Sequence, residues 1–176
     1  AIQGLVRDHR IAPGDVEAIR LEGGEVQRML FHPEAQKKRP ATAIDAKFSL
    51  PFTVALALIR GRVTLDDFDE IARCDPRLLE VASRVDYRQR PDWGRDRAAS
   101  AAVELDLCDG RTLRAELDVP LGHPDRPLTD DQLRAKFLDC AARARRPLTA
   151  DAAGALADSI MRFDEIGDIS PLLASM

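Results

Sequence analysis

The chain has 176 residues, 45% of them hydrophobic and 32% charged, which excludes general disorder and suits one packed domain. Its net charge of −4 argues against nucleic acid as a main partner, because phosphate binding needs a concentrated basic surface. No apolar run reaches the ~20 residues that span a bilayer, which argues against a membrane partner.

Residues 1–10, AIQGLVRDHR, place Ile2, Leu5 and Val6 on one helical face and look like the last turns of an amphipathic helix, not a signal peptide. The chain starts without methionine and reads as a piece of something longer. Pro13-Gly14-Asp15 breaks the helix. VEAIRLEG at 16–23 alternates Ile19 and Leu21 with Arg20 and Glu22, which predicts a half-buried strand. From Gly23 to Thr42 the periodicity fades, and HPEAQKKRPAT, with two prolines, reads as a loop. GGEVQR lacks the third glycine and the following helix of a dinucleotide-binding turn, so it too reads as loop.

AKFSLPFTVALALIRG at 46–61 is the most informative stretch. Ser49 is a competent N-cap, and Pro51 falls in the first turn, where a missing N–H breaks no helical hydrogen bond. From Phe52 to Ile59 the run is apolar nearly all round, predicting a helix buried on most sides, and Gly61 fits the residue just past its end. Thr64 caps a second helix, TLDDFDEIAR, with Asp66 and Asp67 near its positive end. Pro76 opens a third, carrying Leu78, Leu79, Val81 and Ala82. VDYRQRPDWGRD at 85–96 reads as a strand and a turn.

In AAVELDLCDGRTLRAELDV, two alternating runs flank Asp-Gly. A two-residue turn would set Leu105 against Arg114, core against solvent. A three-residue loop, Cys108-Asp109-Gly110, pairs Leu105 with Leu113 and Val103 with Ala115, so that register is predicted, with Gly110 left-handed. Glu104, Asp106, Glu116 and Asp118 then share the outer face. PLGHPDRP is a loop, and Thr129 with Gln132 makes a capping box for a helix whose apolar stripe is Leu133, Phe137, Cys140 and Ala141. Pro147 ends it, and Thr149 caps a last helix bearing Leu156, Ile160 and Phe163. Helices and hairpin come in blocks, so the class is α+β: a single domain over 1–176, with an antiparallel sheet including a hairpin at 99–119 packed against several helices.

Three blocks together, AKFSLPFTVALALIRG, VELDLCDGRTL and PLGHPDRPLTDDQLRAKF, resemble the C-terminal half of the MmgE/PrpD family, in the family's order and over nearly the whole chain. That family includes 2-methylcitrate dehydratase, cis-aconitate decarboxylase and iminodisuccinate epimerase. The resemblance implies the C-terminal part of a two-domain homodimer, whose large helical N-terminal domain is this chain's partner. It implies a lyase or isomerase of propionate-catabolism type, acting on a small polycarboxylate by proton abstraction next to a carboxylate, with no cofactor. Most catalytic histidines and lysines belong to segments before the matched region, so no complete catalytic set is expected here. In some relatives the aromatic residue after the SLP-like triplet is a tyrosine facing substrate; here it is Phe52, which lacks the hydroxyl. Either the reaction differs, or Phe52 shapes the pocket wall. The opposing reading is a non-catalytic interaction or dimerisation module, favoured by the missing catalytic set.

The candidate substrate-binding residues are therefore Lys47, Ser49 and Phe52. A helix that starts at Ser49 directs N–H groups and a positive dipole end outward, which suits a carboxylate, and Lys47 adds a full charge. The alternative is that Ser49 only caps and Lys47 pairs with Asp45 or solvent. His123 is a loop histidine, either an acid–base group or exposed and idle, and His32 before Pro33 is no stronger a candidate. Lys136 on a helix suggests a structural salt bridge. The basic runs KKRP at 37–40 and RARR at 143–146 read as solvated faces. Cys74, Cys108 and Cys140 lie too far apart for a disulfide framework or a metal site and predict reduced thiols in the cytosol.

Overall fold

The computed structural model describes residues 1–174 and divides into two compact units, Ala1–Pro120 and Leu121–Met176. In the first, α1 (Ile2–His9) leads to β1 (Val16–Gly23), and a helical segment intervenes before β2 (Val85–Gln89), β3 (Ala101–Leu107) and β4 (Thr112–Leu117). The strand order is β2-β1-β3-β4. The class is α+β as expected, but the sheet is mixed: β1 pairs antiparallel with β3 and parallel with β2. The reason lies in the connection, because helices between β1 and β2 carry the chain back to the end where β1 began.

The hairpin adopts the predicted register, Leu105 opposite Leu113 and Val103 opposite Ala115. Gly110 sits at φ 85°, and its N–H donates to the Leu107 carbonyl at 2.9 Å. A bulge in β1 between Val16 and Ala18 keeps Val16, Ile19 and Leu21 all on the inner face. Those residues, with Val85, Val103 and Leu105, pack against Leu5 of α1 and the helices of the intervening segment.

That segment holds α2 (Glu25–Phe31), α3 (Glu34–Lys38), α4 (Ala43–Lys47), α5 (Leu50–Arg60), a 3-10 turn (Leu65–Phe68), α6 (Glu70–Arg73) and α7 (Pro76–Ser83). Residues 24–42, expected as loop, therefore contain two helices, and a helix does follow Gly23-Gly24. Distant contacts hold them. Gln27 accepts the Gly24 N–H at 3.0 Å while its own amide donates to the Ala98 and Ser100 carbonyls, at 2.6 and 2.9 Å. Lys38 reaches the Ser83 carbonyl at 3.0 Å. The expected single helix after Thr64 is split at Asp69, whose carboxylate caps α6 by accepting the Ala72 N–H at 2.7 Å.

The outer face of the sheet is a field of paired opposite charges. Arg20 bonds Glu104 and Asp106, and Arg97 bonds Glu116 and Asp118. Glu22 takes Arg114 at 2.8 Å and Arg90 at 3.2 Å. The Arg114 bond is the largest influence on Glu22 and, against a partial desolvation, holds its carboxyl below the usual range.

In the second unit, α8 (Asp130–Ala142) begins with the predicted capping box: Thr129 Oγ1 accepts the Gln132 N–H at 3.2 Å, and Gln132 accepts the Thr129 N–H at 3.0 Å. Of its expected stripe, Ala141 is buried and Phe137 half-buried, but Leu133 and Cys140 are exposed. Thr149 caps α9 (Ala150–Met161), which buries Leu156 between Ala153 and Ala157, while Ile160 and Phe163 are exposed. A short α10 (Ser170–Ala174) follows. Among the described residues no helix is long and apolar enough to cross a membrane.

Candidate functional site

The start of α5 is built by a reciprocal tie to α3. Ser49 Oγ accepts the Phe52 N–H at 3.1 Å and donates to the Lys37 carbonyl at 2.5 Å, while Lys37 Nζ donates to the Phe48 carbonyl at 2.7 Å. The Thr53 N–H bonds the Ser49 carbonyl at 3.0 Å. Pro51 has no N–H to offer, so most first-turn donors are already used. Ser49 itself is buried.

Phe52 is 0% exposed, with its ring 6.5 Å from that of Phe68. Burying such a side chain stabilises the fold by roughly 1.5–3 kcal/mol. The far end of α5 is fixed by Arg60, which bonds the buried Asp67. Burial pushes the Asp67 pKa up, but the bonds from Arg60 and from the Thr64 hydroxyl and N–H outweigh it and hold the carboxyl below its usual value.

Lys47 faces solvent, with Nζ 6.0 Å from the Phe68 ring centroid. It does not pair with Asp45, whose carboxylate caps α4 by accepting the Thr42 N–H at 3.0 Å and the Thr42 hydroxyl at 2.8 Å. Beside Asp45 lies a cavity of about 330 Å³ walled by Gln36, Lys37, Arg39, Ala41 and Asp45. Arg39 is exposed, and neither it nor Lys47 has an ion pair among the described residues. The KKRP run, read from sequence as a solvated face, thus brings Lys37 and Arg39 to the wall of this cavity, and Lys37 to the Phe48 carbonyl next to Lys47. Such a surface can bind and orient carboxylates. Phe52 can donate no proton to a ligand there.

The other candidates lie elsewhere. His123 is exposed on a turn, where Nδ1 accepts the Asp125 N–H at 3.2 Å and lies 3.5 Å from its carboxylate. His32 is exposed, edge-on to Phe31 at 5.3 Å. Among the described residues Lys136 makes no salt bridge of the expected kind, and α8 is tied to α9 by Arg134 and Asp158. The three cysteines are free and exposed. Among the described residues no group of three or more His, Cys, Asp or Glu side chains is placed to hold a metal ion.

The sequence profile of the MmgE/PrpD C-terminal domain matches residues 1–159. The chain belongs to the MmgE/PrpD family. It is 24% identical over 172 residues to cis-aconitate decarboxylase of Mus musculus, covering 95% of this chain and 34% of that protein. It is 30% identical over 132 residues to a 2-methylcitrate dehydratase-like protein of Aspergillus oryzae, covering 69% of this chain and 26% of the relative. To 2-methylcitrate dehydratase of Cupriavidus necator it is 28% identical over 119 residues, 64% of this chain and 24% of the relative. This MmgE/PrpD chain therefore spans about a third or less of the length of these curated relatives.

Proposed function

We propose that the chain is the C-terminal domain of a cytoplasmic lyase of 2-methylcitrate dehydratase type, acting on a small polycarboxylate by proton abstraction next to a carboxylate. The observation that carries this reading is the set of cations around the start of α5: Lys37 and Arg39 wall a cavity of about 330 Å³, and neither Arg39 nor the exposed Lys47 has an ion pair among the described residues. That volume lies at the low end for small-molecule sites, as a small polyanion requires. The names of its relatives support the same substrate class, since 2-methylcitrate and cis-aconitate both carry several carboxylates. In this reading Lys37, Arg39 and Lys47 hold one carboxylate by charge-assisted contacts, and the group that removes the proton comes from the helical domain that the family resemblance implies.

The test is an assay of the full-length protein carrying this segment, with 2-methylcitrate and cis-aconitate as substrates. Dehydration or decarboxylation is expected there, and no turnover by the 176-residue chain alone. Inertness of the full-length protein toward both would remove the reading, and turnover by the chain alone would contradict the division of roles.

A further inference from the structure

β1 and β2 run parallel and end together, with Gly23 opposite Gln89. From there the chain parts: Gly23 leads into α2, whereas Gln89 leads through a loop back to β3 on the other side of β1. A crevice between such diverging connections is where sheets with parallel strands commonly take a ligand. Here the two connections touch at their roots. The Arg90 N–H donates to the Gly23 carbonyl at 2.8 Å, and a Cβ on Gly24 would lie 2.8 Å from the Trp93 carbonyl, so the close approach requires glycine. Gly24 and Trp93 both wall a cavity of about 390 Å³, which shares no wall residue with the cavity beside Asp45.

The walls offer a donor, charges of both signs and apolar surface. Trp93 is only 3% exposed, and the guanidinium groups of Arg97 and Arg90 lie 4.2 and 5.2 Å from its ring centroid. Those arginines are themselves held, Arg97 by Glu116 and Asp118, Arg90 by Glu22 and Asp92. The indole is thus fixed in place, yet its buried N–H has no acceptor. A buried indole N–H ordinarily has one, because a bare donor has given up its hydration for nothing. Glu25 and Arg95 are exposed on the cavity wall, and neither has an ion pair among the described residues. Val26 and Met29 add exposed apolar surface to the same wall. We infer that this cavity binds a free α-amino acid with an aliphatic side chain. Its carboxylate takes Arg95 and the Trp93 N–H, its ammonium takes Glu25, and its side chain packs on Val26 and Met29. A simple carboxylate would leave Glu25 beside an anion, and a simple amine would leave Arg95 and the indole N–H bare. The zwitterion answers all three. The volume, near the low end for small-molecule sites, suits a ligand of that size.

Trp93 is the chain's only tryptophan, so the protein gives a single indole N–H resonance that reports on the site. Titration with L-leucine should move that proton downfield, as a new hydrogen bond does, and should saturate in the millimolar range or below. Isocaproate, which lacks the ammonium, should bind roughly tenfold more weakly or worse, and isoamylamine, which lacks the carboxylate, should leave the resonance in place. Glu25→Gln should weaken leucine roughly tenfold without weakening isocaproate, which also shows that the variant is folded. Arg95→Gln should weaken both ligands. The absence of a saturable shift with leucine would overturn the proposal. So would isocaproate binding as tightly as leucine, a shift with isoamylamine, or Glu25→Gln and Arg95→Gln variants that bind leucine like the wild type.

Discussion

Ser49 and Lys37 hold each other's segments in place: the Ser49 hydroxyl donates to the Lys37 carbonyl at 2.5 Å, and the Lys37 ammonium donates to the Phe48 carbonyl at 2.7 Å. Ser49→Ala therefore removes a helix cap and strands a carbonyl at once. The expected loss is about 1–3 kcal/mol, read as a lower denaturant midpoint with an unchanged slope. A loss of only a few tenths would mean that the tie contributes little.

Phe52→Tyr places a hydroxyl in a fully enclosed site beside Phe68. Unless that hydroxyl finds a partner, it costs roughly 1–3 kcal/mol, so the melting temperature should fall. An unchanged melting temperature with altered kcat in the full-length enzyme would instead show that the ring edge reaches the substrate.

Gly110 has φ 85°, and a Cβ built there meets nothing within 4 Å. The penalty for Gly110→Val is then conformational alone, about 1 kcal/mol or more for a β-branched residue in the left-handed region. Thermal unfolding checks it, and a neutral substitution would mean that the hairpin loop relaxes into another turn.

Asp67 sets an acid limit. Its folded-state pKa lies below its ordinary value, so the stabilisation it gives is complete above the unfolded-state pKa of about 4 and is lost as pH falls through the folded value. Asp67→Asn should destabilise the protein at neutral pH by about 1.5–3 kcal/mol, because the Arg60 guanidinium loses its charged partner. The gap between wild type and variant should close as pH drops below about 4. A gap independent of pH would assign the effect to packing.

The parts of the fold legible in sequence are those fixed by near neighbours. The hairpin follows from strict alternation and Gly110, and the start of α5 from Ser49 and Pro51. α2 and α3 were not legible, because they are short, lie among prolines and depend on partners far along the chain, such as Gln27 with Ala98 and Ser100. The parallel pairing of β2 with β1 is likewise a property of the whole connection. At the candidate site Lys47 could be singled out from sequence beside a recognisable cap. Lys37 and Arg39 could not, because only the fold of α3 brings their run against α5. The burial of Phe52 was foreshadowed by the apolar run it opens, but its packing against Phe68 was not.

The central claim is that cations at the start of α5 hold a substrate carboxylate. Steady-state kinetics of Lys47→Ala and Arg39→Ala in the full-length enzyme test it most directly. Both side chains are exposed and have no ion pair among the described residues, so neither change should alter the melting temperature by more than a degree or two. KM for the polycarboxylate should rise by about 10- to 100-fold with kcat nearly unchanged, the signature of a charge-assisted contact made equally in ground and transition states. An unchanged KM in both variants would contradict the claim.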